Sequence, residues 1–84
     1  SDLLIFPNPS NGIYTINYTP SILEEHNIHV LDMLGNTVYD IGHFPKNLES
    51  HSMQLDISHQ AKGIYFLEIS SGEYIINRRL ILEN

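Results

Sequence analysis

An 84-residue chain has room for one domain, and 42% hydrophobic with 17% charged residues mark it as globular rather than disordered. A formal net charge of -6, with only four Lys and Arg, opposes the phosphate attraction behind nucleic-acid binding, so neither nucleic acid nor an anionic lipid surface is an expected partner. The absence of cysteine excludes disulfides and thiolate metal sites, and the longest apolar run is far too short to span a bilayer.

In chain order, Leu3-Leu4-Ile5-Phe6 reads as a short strand that Pro7-Asn8-Pro9 must stop. Each proline fixes its own φ, pushes the residue before it into extended geometry and brings no ladder N–H. Ser10-Asn11-Gly12 supplies a turn, and residues 13–18 resume as a strand with Tyr14, Ile16 and Tyr18 on one face. Thr19-Pro20 ends it, and residues 21–27 read as a polar connection carrying Glu24 and Glu25. Residues 28–39 have the pattern of a hairpin. Ile28 and Val30 share a face on the first arm and Val38 begins the second; Asp32 is placed to accept bonds from turn N–H groups, and Gly35 to take the left-handed position.

Residues 41–52, with Gly42, Pro45, Asn47 and two histidines, read as a long surface loop with a fragment of strand. Residues 52–57 form the next predicted strand, Met53, Leu55 and Ile57 sharing a face. The strongest strand signal in the chain follows. Gly63 opens it, Tyr65, Leu67 and Ile69 alternate onto one face, and Ser70-Ser71-Gly72 closes it. A tyrosine just inside a strand, after a short polar turn, fits the tyrosine corner of immunoglobulin-like sandwiches, where the phenol bonds back to upstream backbone; a plain core tyrosine is the alternative. Residues 73–82 make a final strand, apolar on both faces and interrupted by Asn77-Arg78-Arg79. About seven short strands separated by turn signals, without useful helical periodicity, predict an all-β, immunoglobulin-like antiparallel sandwich.

Chemistry is sparse. His26 and His29, beside Glu24 and Glu25, come nearest to a metal cluster, but a strand turns them to opposite faces and no third ligand has metal-site spacing. Both are expected as solvated loop histidines. Asp32, Asp40 and Asp56 are each explained by a turn or a strand end, and no strand-Gly-x-Ser-x-Gly-helix elbow exists to activate a serine. No catalytic centre, metal or cofactor is expected.

Three features ask for a partner instead. Ile64 and Phe66 alternate away from Tyr65 and Leu67, which leaves them partly exposed. The last strand is either a covered edge or one open to pairing with another protein. Arg78-Arg79 gathers half the basic residues at one point, as gatekeepers against aggregation or as a recognition handle. An adhesive or carbohydrate-binding module is the alternative reading of such a sandwich. Sugar binding needs a flat platform of exposed aromatics, whereas strand parity leaves mainly Phe66 outside, with Tyr39 and Tyr74 undecided.

The ordered set Phe6-Pro7-Asn8-Pro9-Ser10-Asn11-Gly12, then Val30-Leu31-Asp32-Met33-Leu34-Gly35-Asn36-Thr37-Val38, then Lys62-Gly63-Ile64-Tyr65-Phe66-Leu67, then Arg78-Arg79-Leu80-Ile81-Leu82, resembles over nearly the whole chain the type A C-terminal sorting domain of the type IX (Por) secretion system. That resemblance implies an immunoglobulin-like sandwich that is the last domain of a larger secreted protein of a Gram-negative bacterium. A start at Ser1, without initiator Met or leader, suits such a processed piece. The implied route runs through the periplasm to an outer-membrane translocon and the cell surface, where a sortase-like peptidase removes the domain. These partners are proteins, the domain does not itself insert in the membrane, and its self-association is left open. By the same resemblance Pro7, Asn8, Pro9 and Gly12 match the first motif, Asp32 and Gly35 the Asp-x-x-Gly hairpin, and Gly63 and Tyr65 the Gly-x-Tyr motif, while Phe66 is singled out by its exposure alone. Arg78 or Arg79 stands at a terminal position that is usually Lys, a change that keeps the charge and argues against a role needing an ammonium group.

Overall fold

Alternating apolar side chains build seven strands: β1 (Asp2–Phe6), β2 (Ile13–Thr19), β3 (His26–Leu31), β4 (Thr37–Phe44), β5 (His51–Asp56), β6 (Gly63–Ser71) and β7 (Tyr74–Leu82). The computed structural model describes residues 2–19, 25–45, 50–72 and 74–83, and no helix occurs among them. One sheet has the order β1-β2-β5 and the other β4-β3-β6-β7, with antiparallel pairing throughout both. The chain changes layers between β2 and β3, β4 and β5, and β5 and β6, which makes the two-layer sandwich that the sequence predicts.

Period-two alternation decides what is buried. Tyr14 and Ile16 of β2 and Leu55 of β5 meet Ile28 and Val30 of β3, Leu67 of β6 and Leu80 and Leu82 of β7 in one core. Burying each such aliphatic side chain favours the fold by about 1.5–3 kcal/mol, set against the entropy of ordering the chain. Tyr65 joins this core by its ring, while its hydroxyl donates to the Ala61 carbonyl oxygen at 2.5 Å. That is the bond of a tyrosine corner, and it fastens the turn between β5 and β6 to the strand it leads into.

Three expectations need correction. The stretch read as a long loop is largely strand, because β4 continues to Phe44 and β5 starts at His51. Register shifts opposite Ile28/His29 and Val30/Leu31 bulge β4 twice, so Val38, Ile41 and Phe44 reach the core at every third residue and the alternation is lost. The histidines are not solvated. His26 opens β3 only 3% exposed, with Nε2 at 3.0 Å from the Tyr18 hydroxyl and its ring stacked on Phe44, and Tyr18, Phe44 and His51 close that end of the sandwich edge to face. His29 lies on the opposite, outer face as expected, but its Nε2 is 2.7 Å from a Glu68 carboxylate oxygen. Finally, β7 is continuous through Asn77-Arg78-Arg79, its ladder with β6 running unbroken from Ser71 opposite Tyr74 to Gly63 opposite Leu82. The readings at Pro20, Glu24 and Asn47 fall outside the described residues.

Candidate functional site

The residues singled out in the sequence converge on β7 from two sides. Along its free edge runs the loop after β1. Pro7 and Pro9, each preceded by a cis peptide bond, have no N–H. Lacking those donors, the main chain here contributes little to a ladder. The Asn8 carboxamide takes over that role, since it carries one acceptor and one donor group as a backbone unit does. Its Nδ2 donates to the Arg79 carbonyl oxygen at 2.8 Å, and its Oδ1 accepts the Ile81 N–H at 2.9 Å. The main chain then resumes the pattern. Ser10 N–H donates to the Ile81 carbonyl oxygen at 3.0 Å, and Glu83 N–H donates to the Ser10 carbonyl oxygen at 2.8 Å. From β2 the Tyr14 hydroxyl also donates to the Ile81 carbonyl oxygen, at 2.6 Å. Burial, then the nearby Glu83 carboxylate, push that phenol above its ordinary range, which keeps it a donor.

Gly12 anchors the other end of the loop. Its φ is +122°, and a Cβ built on it would lie 2.3 Å from the Ser58 Cα, so glycine is required by conformation and by space together. Buried Ser10 braces the same turn, its Oγ donating to the Ile13 carbonyl oxygen at 2.7 Å and accepting the Gly12 N–H at 3.1 Å.

On the outer face of the four-stranded sheet, Leu31, Phe66 and Arg79 stand side by side across β3, β6 and β7. With Asp32, Met33, Gly35 and Asn77 they line an open groove of about 470 Å³. The β3–β4 turn shapes its rim. Asp32 Oδ1 accepts the N–H groups of Leu34 and Asn36, both at 2.9 Å, and Gly35 takes a left-handed φ of +87°. These main-chain donors, Asn36 first, hold the Asp32 carboxyl below its usual range. The tight turn leaves Met33 and Leu34 exposed above the groove.

The structure thus brings Asp32, Gly35, Phe66 and Arg79 together around the groove, and Pro7, Asn8 and Pro9 along the β7 edge, while Gly12 packs on the turn after β5. Tyr65 is in the core, and Gly63 starts β6 opposite Leu82. Arg78 is separated from Arg79: strand parity puts it on the face of Leu80 and Leu82, at an edge where it stays exposed, so the two cations are not one patch. Sequence reasoning missed the Asn8 clamp and its partners Ser10 and Tyr14. An amide-bearing residue between two residues without N–H was the available signal. Among the described side chains the most exposed large aromatics are Phe6 at 46% and Tyr39 at 45%, not half-buried Phe66, and they belong to different sheets rather than to one sugar-binding platform; the reading at the Tyr74 side chain falls outside the described ones. Among the described residues no cluster of three His, Asp or Glu could hold a metal ion.

These features define a small β-sandwich module with an open groove on one sheet and a last strand fastened by the loop after β1. Residues 4–83 match the family model of the secretion system C-terminal sorting domain, and the chain belongs to that family, the sorting domains of type IX secretion. No curated protein matches the chain. Membership makes it a type IX sorting signal that works through the secretion machinery and directs export to the cell surface or extracellular space, and the family is not one of enzymes.

Proposed function

We propose that this chain is a single, non-enzymatic sorting domain at the end of a larger secreted protein of a Gram-negative bacterium. It is read as a folded sandwich by the outer-membrane translocon, after the parent protein has reached the periplasm, and a sortase-like peptidase then removes it at the cell surface. The observation that carries this reading is the clamp of Asn8 and Ser10 on β7, which ties the first motif of the family to the strand that ends in the last. In this reading Pro7, Asn8, Pro9 and Gly12 fix the terminal strand, Asp32 and Gly35 hold the rim of the groove, and Gly63 and Tyr65 set β6 beneath it. Phe66 and Arg79 face the partner on the groove side, and Arg78 on the other.

The test is a reporter bearing an export signal and fused ahead of residues 1–84, expressed in hosts with and without the type IX apparatus. Reporter should leave only the first host, and without the attached domain when the surface peptidase is present. Equal amounts of reporter outside both hosts would overturn the proposal.

A further inference from the structure

The clamp covers only part of the β7 edge. Its bonds to Asn8 and Ser10 show that the main-chain groups of Arg79, Ile81 and Glu83 point away from β6. The regular β6–β7 register carries the same parity back to Asn77 and Ile75. Among the described residues, nothing bonds to the N–H or carbonyl of Ile75 or to the N–H of Asn77 and Arg79, and the Asn77 carbonyl oxygen accepts only the Arg78 guanidinium, at 3.1 Å. The opposite edge of this sheet, β4, is broken up by its two bulges, a device that discourages strand pairing, whereas β7 has none. Ile75 is 60% exposed at one end of this stretch, and two of the four basic residues of a chain with net charge -6 flank the other end, Arg79 on the outer face and Arg78 on the inner.

We infer that the β7 edge from Ile75 to Arg79 is a docking strand for an extended acidic segment of the secretion machinery, which adds to the four-stranded sheet as a fifth strand and ends where Asn8 occupies the Arg79 carbonyl. This rests on the sorting-signal reading and names the surface that is read. Main-chain bonds to Ile75, Asn77 and Arg79 supply the affinity, and carboxylates on both faces of the incoming strand answer Arg78 and Arg79. The same edge of a second copy, Ile75-Ile76-Asn77-Arg78-Arg79, carries no carboxylate to answer these cations.

Proline at position 77 separates these ideas, because it deletes an outward N–H and leaves the β6 ladder its donors. In the reporter fusion, Asn77→Pro should be exported less than Asn77→Ala by about tenfold, as expected for a lost main-chain hydrogen bond, while the 84-residue chains keep the same circular dichroism. Full export of a folded Asn77→Pro overturns the inference, and so does equal loss in Asn77→Ala, which would assign the effect to the side chain. If Asn77→Pro does not fold, hydrogen exchange of the unsubstituted chain decides. Its amides at 75, 77 and 79 should slow when detergent-solubilised translocon binds; unchanged exchange in the bound state overturns docking at this edge. Protection without translocon, together with a doubled mass in sedimentation, gives the edge to a second copy and overturns it as well. Failure of the parent fusion to leave a type IX host is a separate result, and it removes the sorting-signal reading itself.

Discussion

Replacing Gly12 by alanine tests whether the loop that reaches β7 depends on a contact with no room for a side chain. The new Cβ would sit 2.3 Å from the Ser58 Cα and 2.7 Å from its backbone nitrogen. Backbone atoms cannot swing aside as a side-chain tip can. The loop must therefore back away from the turn after β5 and strain the 2.8 Å bond from Ile57 N–H to the Gly12 carbonyl oxygen. A non-glycine residue at such a φ costs about 1–3 kcal/mol. Overpacking adds about 1–3 kcal/mol more, so the expected loss is about 2–6 kcal/mol. A domain of this size has about 4–12 kcal/mol to lose, and each kcal/mol lowers its melting temperature by about 4–8 °C. Gly35→Ala is the control, since its φ is +87° but nothing lies within 4 Å of an added Cβ, leaving only the strain of about 1–3 kcal/mol. Urea unfolding followed by the fluorescence of the five tyrosines, with no tryptophan to mask them, measures both variants. Equal losses in the two would refute the reasoning, because the approach to Ser58 would then contribute nothing.

Asn8→Ala removes two exposed hydrogen bonds to β7 and is expected to cost about 1–2 kcal/mol, with faster hydrogen exchange at the Ile81 amide; unchanged exchange there counts against the clamp. Burial pushes the Tyr18 phenol up to about 12, while an unfolded tyrosine ionises near pH 10. A raised folded-state value means that this contribution to stability is complete below about pH 10 and is lost as the pH climbs towards about 12. Urea midpoints should fall over that window, and Tyr18→Phe should flatten the fall. Asp32 has the opposite sign: its lowered carboxyl stabilises the fold above the ordinary value of 3.8, and the contribution disappears as the pH falls through the lowered one. In Asp32→Ala that part of the acid-side decline in the urea midpoint should be missing.

Strands with regular alternation were legible from the residues alone. In β2 and β6 every second side chain enters the core, and the Asp32–Gly35 turn is decided by residues at most four apart. The first residues of β4 were legible as the second arm of the hairpin but its continuation past Asp40 was not, since the bulges replace a period of two by intervals of three, and Gly42 and Pro45 imitate a loop. The start of β3 was hidden for another reason. His26 looks like a solvated residue until Tyr18, Phe44 and His51 arrive from β2, β4 and β5 to enclose it. Arg78 and Arg79 look like one patch when written side by side, although the pleat sends them to opposite faces. The Asn8 contacts join positions 71 and 73 apart, beyond the reach of local pattern, so the motifs were visible in sequence as a resemblance before their geometry gave them a physical task.

A fastening that spans so much of the chain ties shape to completeness. A polypeptide threaded or synthesised from its N-terminus exposes Asn8 and Ser10 long before the strand they grip has emerged, and such distant pairings are the last that folding can make. A copy cut short before Arg79 leaves Asn8, Ser10 and Tyr14 with nothing to hold. The finished sandwich is therefore a receipt for an intact sequence.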